Sequence, residues 1–416
     1  MKKLIGTVMV AALVASAAFA EITFGAWLRA LGAPVASDGK DTVVAMGNSW
    51  GYGTRTARLN VNATADDGNI GFSMGIYNDA NMSLSAGDDA RIWAKPAEML
   101  TVSLGKYDNN TLRGDMCYGS WNWFRPTSSW YVEDEGLTMS GNGGTGMLLE
   151  LTPVEGLYVQ ALIPMASTKT KADQTYKNLR GGFAYSIEGV GKLKAQYIGK
   201  GAGKTEAADA VDGLYVDAGA TALTSWTTGD LPAGATKIKD RVDAKPADDG
   251  NSNCDIEVAF DLNSVENLFV TAGFAYYVRK DNPAAEQKMK IALGASYQVS
   301  EELKVSFSGA YGMFNKGKSD GGVDPIFQAG AGIDYNLGDG LALSADVRYK
   351  SKLNDGDKTD GLGFGVGLTK SISSNGYIGA AFQGQTNGGT WANNVVTGAD
   401  AEKLTWVIPV AISCWF

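Results

Sequence analysis

The 416-residue chain contains no histidine, and that decides most of what its side chains could catalyse. A Ser-His-Asp or Cys-His nucleophile cannot be assembled without the imidazole that moves the proton. His-ligated metals are excluded for the same reason. Three cysteines remain, Cys117, Cys254 and Cys414, at spacings that resemble no metal site. Acid-pair chemistry stays formally open, but no carboxylate pair stands out, so neither an enzyme nor a cofactor is expected. What the chain does carry is fixed charge and aromatic surface. Arg29, Arg58, Arg91 and Arg180 stand in or beside segments of alternating polarity. Asp115, Glu133, Asp134 and Glu135 fall in a long segment, 108–145, that also holds Trp121, Trp123, Phe124, Trp130 and Tyr131. Rings of opposite charge select ions, and aromatic faces can stack on sugar rings.

The elements that must position these groups alternate with period two. In residues 56–64, TARLNVNAT, Ala57, Leu59, Val61 and Ala63 are apolar, while Arg58, Asn60 and Asn62 are polar. Successive side chains of a strand point to opposite faces, so the two sets separate. The pattern recurs at Ile70-Phe72-Met74-Ile76, Leu157-Val159-Ala161-Ile163, Ile256-Val258-Phe260-Leu262 and Leu303-Val305-Phe307, among others. From a first strand at Ile22–Arg29 to a last at Leu404–Phe416 we count about 18 strands, with 16 as the alternative.

The connections alternate too. Short ones include Ala65-Asp66-Asp67-Gly68, Glu188-Gly189-Val190-Gly191 and Gly338-Asp339-Gly340, which are tight-turn compositions. Long ones include 30–55, 108–145, 200–253 and 386–403. Residues 214–222 alternate weakly and read as structure within a long loop. Short turns on one side and long loops on the other is the plan of a transmembrane β-barrel, and an even strand number puts both ends on the short-turn side. A soluble β-sandwich also alternates, but the tyrosines discriminate. Tyr185, Tyr297 and Tyr335 lie on the apolar parity near short turns, and Tyr197, Tyr276, Tyr311 and Tyr349 near long loops. Two rings of amphipathic aromatics suit the two interfaces of a bilayer. The expected fold is therefore an all-β transmembrane antiparallel barrel in contact with lipid.

Lys2 and Lys3, the apolar run 4–15 and Ala18-Phe19-Ala20 read as a cleavable signal peptide over 1–20. The rest, 21–416, reads as one barrel domain. Composition agrees: 54 glycines, 10 prolines and 44% hydrophobic residues dispersed along the chain. The net charge of −9 offers nucleic acid no general attraction. Cys117 and Cys254 fall at loop positions and could pair; three unpaired thiols is the other arrangement.

The last strand reads WVIPVAISCWF, with Trp406, Ile408, Val410, Ile412, Cys414 and Phe416 on one face. Here the chain resembles the bacterial outer-membrane porins, whose last strand ends in an aromatic residue read by the outer-membrane assembly machinery. The resemblance is one of architecture. It implies an outer-membrane location, a water-filled pore for ions and small hydrophilic solutes, and Phe416 as an assembly signal. Resembled porins are often trimers, which leaves a homotrimer open. It also implies a pore constriction. Segment 108–145 follows the fifth strand and is the third long loop, the one that folds into the barrel in general porins. Arg29, Arg58 and Arg91 come from strands that supply part of the basic wall there. The chain departs from the family in lacking a Pro-Glu-Phe-Gly-Gly stretch in that loop. Two other arrangements stay open: an extracellular cap in which the loop aromatics pack on one another, and arginines spent on acids of neighbouring strands. A sugar-selective channel and a surface barrel acting as adhesin or coat are the competing functions.

Overall fold

The computed structural model describes residues 20–37, 39–48, 57–78, 84–107, 111–114, 138–166, 171–203, 212–217, 222–226, 233–239, 250–279, 287–314, 325–351, 360–386 and 404–416. Residues 1–19, which hold most of the expected signal peptide, fall outside this set. The strands are β1 (Ala20–Ser37), β2 (Thr42–Asn48), β3 (Ala57–Ala65), β4 (Ile70–Asn78), β5 (Leu84–Ala97), β6 (Leu100–Tyr107), β7 (Gly144–Val154), β8 (Leu157–Pro164), β9 (Arg180–Ile187) and β10 (Gly191–Gly199). There follow β11 (Gly213–Val216), β12 (Leu223–Trp226), β13 (Thr236–Lys239), β14 (Cys254–Leu262), β15 (Leu268–Val278), β16 (Gln287–Gln298), β17 (Leu303–Phe314), β18 (Ile326–Gly338), β19 (Leu341–Lys350), β20 (Gly361–Ser373), β21 (Gly376–Gln385) and β22 (Thr405–Trp415). Among the described residues a short helix, α1 (Ala172–Lys177), lies between β8 and β9.

Nineteen strands form one antiparallel sheet, which closes because β1 pairs with β22 on one edge and with β2 and β3 on the other. β2 and β3 share that edge end to end and fill one position, so nineteen strands make an 18-strand barrel. Among the described residues the barrel sheet leaves no free edge to meet lipid, where an unpaired amide costs several kcal/mol or more. Strands β11, β12 and β13 form a separate small sheet inside the long connection between β10 and β14. The weak alternation at 214–222 is thus structure within a loop, as read.

Two boundaries differ from the reading of the sequence. Residues 30–37, assigned to a loop, continue β1, and 42–48 fold back on it. Closure accordingly runs from Trp27↔Trp415 to Ser37↔Trp406 rather than along Ile22–Arg29, which pairs chiefly with β3. Pro34 hid the extension. It sits where the register slips against both neighbours, between Ala33 and Ala36 and between Gly32 and Val35. A residue without an amide donor is tolerated at such an irregularity.

The parity of the strands sets the two faces as expected. On β16 the outward Leu293 is 54% exposed, while inward Ala292 is 2% exposed. Tyr185, Tyr297 and Tyr335 near the short turns, and Tyr197, Tyr276 and Tyr311 near the long loops, are exposed on the outer wall. Phe364, Phe382 and Trp406 continue it as a ladder of rings about 6 Å apart. The inner face is polar and largely covered, with Lys194, Gln196, Glu257, Asp261, Gln328 and Arg348 all buried.

Candidate functional site

The ends of the third long loop turn into the barrel. Residues 111–114 and 138–143 meet through Gly114 N–H donating to Met139 O at 3.0 Å. Together they form a strap against the inner wall. Leu112 and Met139 are fully buried and pack on Ala184 of β9 and Ala259 of β14, with Tyr158 of β8 alongside. Both alanines face inward, which places the contact inside the lumen.

Polar bonds fasten the strap along β10, β14 and β15. Ser140 donates its amide and its hydroxyl to the two carboxylate oxygens of Glu257, at 2.8 and 2.9 Å. Gln196 holds the same carboxylate at 2.6 Å and the Ser140 carbonyl at 2.8 Å. Lys194 donates to the Arg113 carbonyl at 3.1 Å and pairs with Asp261 at 2.6 Å. Asp261 accepts from the Thr271 hydroxyl at 2.6 Å, and Thr271 meets the Thr138 hydroxyl at 3.2 Å. Arg180 donates to the carbonyl of Gly143. Space as well as bonding is arranged for this path. A Cβ on Gly273 would lie 2.5 Å from Thr138 Cβ, and one on Gly182 would lie 2.6 Å from Leu112 Cδ1. Buried charge is stable only when paired and bonded, and Glu257, Asp261 and Lys194 meet that condition partly through the strap itself.

The strands β1, β3, β4 and β5 lie across the lumen from this anchorage. Arg58 points inward from β3. Its Nε donates to Asn60 Oδ1, and its guanidinium lies over the Tyr77 ring at 5.3 Å. Tyr77 in turn meets Trp27 edge-on, with ring centroids 6.3 Å apart. Arg91 of β5 lies 3.4 Å from Asp89 and over the Tyr107 ring at 5.8 Å. Arg58, Asn60 and Asn62 of β3, Thr23 of β1, Ser73 of β4 and Asp89 of β5 line a recess of about 410 Å³. At the long-loop end of the opposite wall, Asp255 is buried between Arg279 at 2.7 Å and Lys200 at 2.5 Å.

The expected residues therefore divide. Arg58 and Arg91 come together on one wall. Arg180 belongs to the other wall and holds the strap rather than facing it. The backbone of Arg29 lies opposite Ser413 at the closing seam, and its side chain is outside the described residues. So are Asp115, Glu133, Asp134 and Glu135, the aromatics Trp121, Trp123, Phe124 and Trp130, and Cys117. Cys254 and Cys414 are free thiols. The alternative of arginines spent on acids of neighbouring strands describes neither Arg91, whose acid Asp89 belongs to its own strand β5, nor Arg58, whose Nε and ring face are held by an amide and a tyrosine. Sequence reasoning missed the inward aromatics Trp27, Tyr77 and Tyr107. Their signal was available, since Trp27 shares the parity of Thr23 and Arg29. The anchors Ser140, Gln196 and Thr271 had none, because an ordinary polar residue on an inward parity does not say what it meets.

Residues 200–369 match the family model described as outer membrane protein beta-barrel domain. None of the curated proteins compared with the chain matches it. Among solved structures, the chain is similar to an anion-selective porin from Comamonas acidovorans, with 12% identity over 95% of this chain and 100% of that one and a TM-score of 0.47. It is similar to a mutant of the Rh. blastica porin, with 14% identity over 95% and 100% and a TM-score of 0.44. It is also similar to OmpT, an outer membrane protein of Vibrio cholerae, with 12% identity over 95% and 98% and a TM-score of 0.44.

Proposed function

We propose that this 18-strand barrel is a porin of a bacterial outer membrane, exported by its first 20 residues, through which ions and small hydrophilic solutes diffuse passively. The observation that carries the reading is the strap, buried on the inner faces of β9, β14 and β15 and facing the wall that bears Arg58 and Arg91. An 18-strand barrel is too wide for its own side chains to fill. A loop fastened against one wall narrows it, and the arginines opposite set the potential that a passing ion meets. The narrowing is one-sided, so the field runs across the pore, and it acts most at low salt, where screening extends over about 10 Å or more.

Reconstitution of the purified barrel into planar bilayers tests this. Stepwise conductance in KCl is expected, with a reversal potential under a salt gradient displaced toward anion preference. A barrel that inserts and never conducts overturns the channel reading. That outcome would favour a surface-binding role, for which the sheet β11–β13 in the connection between β10 and β14 is the exposed platform.

A further inference from the structure

We propose that the recess between β1, β3, β4 and β5 is a binding station for small hydroxylated carboxylates, solutes of the size and chemistry of a sugar acid. The proposal rests on the channel reading and adds to it a solute class. Three observations carry it.

The first is the way Arg58 is held. Asn60 takes its Nε and the Tyr77 face supports its plane, while Tyr77 is itself buried and braced by Trp27. A Cβ on Gly75 would lie 3.1 and 3.2 Å from Nε and Nη2 of Arg58, so glycine leaves room for the guanidinium to lie against the wall. Among the described residues no protein acceptor takes either Nη of Arg58. A guanidinium fixed by its Nε and its face presents its outer edge, the edge that matches a carboxylate with two parallel N–H donors. Its side-chain entropy is already lost before any solute arrives, which lowers the cost of binding.

The second is the rest of the lining. Asn62, Ser73 and Thr23 bring an amide and two hydroxyls into the same recess, and none of them bonds another described side chain. Neutral donors and acceptors of this kind recognise hydroxyl groups. Asp89, the one acid among the described residues of the lining, faces Arg91 at 3.4 Å, so the Arg58, Arg91 and Asp89 set keeps one net positive charge. The volume of about 410 Å³ lies at the lower end of small-molecule sites, which suits one sugar-sized solute and not an oligosaccharide.

The third lies elsewhere in the lumen. Lys200 and Arg279 flank Asp255 at the long-loop end of the barrel, and Arg180 stands level with it across β10, both facing Ile198 in register. Three cations and one carboxylate on that rim give the long-loop end of the lumen the same sign as the recess on the facing wall, which raises the local concentration of anions.

Calorimetric titration of gluconate into the full-length barrel, folded in detergent, tests the station without requiring conductance. One site per chain is expected, with affinity reduced roughly tenfold or more in Arg58→Ala, as for loss of a bidentate charged pair. Asn62→Ala and Ser73→Ala should each weaken gluconate by a few-fold, and Arg58→Lys, which keeps the charge and loses the fork, should not restore it. Glucose, which lacks the carboxylate, should bind far more weakly. Absence of gluconate binding, equal binding by wild type and Arg58→Ala, or equal affinity for inorganic phosphate would each overturn the proposal, the last by reducing the recess to a bare oxyanion site. Current block by gluconate in bilayers is read separately. A conducting barrel that binds no gluconate loses the station and keeps the pore, and a barrel that binds gluconate but never conducts does the reverse.

Discussion

Ser140 and Glu257, 117 residues apart in the chain, form a two-point clasp: the amide and the hydroxyl of Ser140 both donate to one carboxylate, at 2.8 and 2.9 Å. The clasp ties a loop to the wall of a barrel from the inside. Hydrogen bonds to a charged acceptor contribute about 1.5–3 kcal/mol each, and Glu257 also accepts from Gln196. Glu257→Ala should therefore release the strap, raising single-channel conductance in KCl or adding sub-conductance switching, while the barrel still forms. Traces identical to wild type would argue that the strap does not narrow the path.

Gly273→Val offers a route to the same state without touching charge. The added side chain would claim the volume that Thr138 fills, since even a Cβ would come within 2.5 Å of the Thr138 Cβ. The variant should share the conductance change of Glu257→Ala. A change in only one of the two variants would separate the electrostatic effect of Glu257 from the position of the strap.

Lys194 and Asp261 are both buried and 2.6 Å apart. Removing one partner of a buried pair costs about 3–5 kcal/mol because the other charge is stranded. Lys194→Ala should lower the temperature at which the barrel unfolds in detergent, followed by the loss of β-sheet circular dichroism. Lys194→Met with Asp261→Leu should recover much of that loss. A double variant no better than the single would assign the effect to the Arg113 carbonyl that Lys194 also binds.

Arg58→Ala and Arg91→Ala should each shift the reversal potential toward cation preference, with the shift shrinking as salt rises toward 1 M, where screening falls to about 3 Å. Unchanged reversal potentials in both variants would remove the arginine wall from the selectivity of the pore.

Deleting Phe416 should impair assembly more than conduction. Its amide and carbonyl both pair with Ala26, at 2.8 and 2.9 Å, and end the closing seam. Membrane levels of the truncated protein equal to wild type would count against an assembly role.

What the sequence determined by itself was local and periodic. Leu59 and Arg58 had to face opposite ways, as did Leu293 and Ala292, because a strand offers only two faces. Tyr297 and Tyr311 announced the two rims of the outer wall because amphipathic rings have one favourable depth. The 18 strands followed from the same rhythm, and its weak recurrence at 214–222 marked structure within a long loop, while the pairing of β11 with β12 and β13 came only with the structure. Parity, however, says which face a side chain takes and nothing about what stands opposite it. Only the tertiary structure decided that Glu257 meets Ser140, that Arg58 rests on Tyr77 instead of an acid, and that Arg180, expected only to face the lumen, holds the strap. It also decided the seam, where a register slip at Pro34 carries β1 on to Ser37. The contacts of Ser140 with Glu257 and of Arg180 with the strap join residues far apart in the chain, and that of Arg58 with Tyr77 depends on the register of β3 against β4; parity alone contains neither.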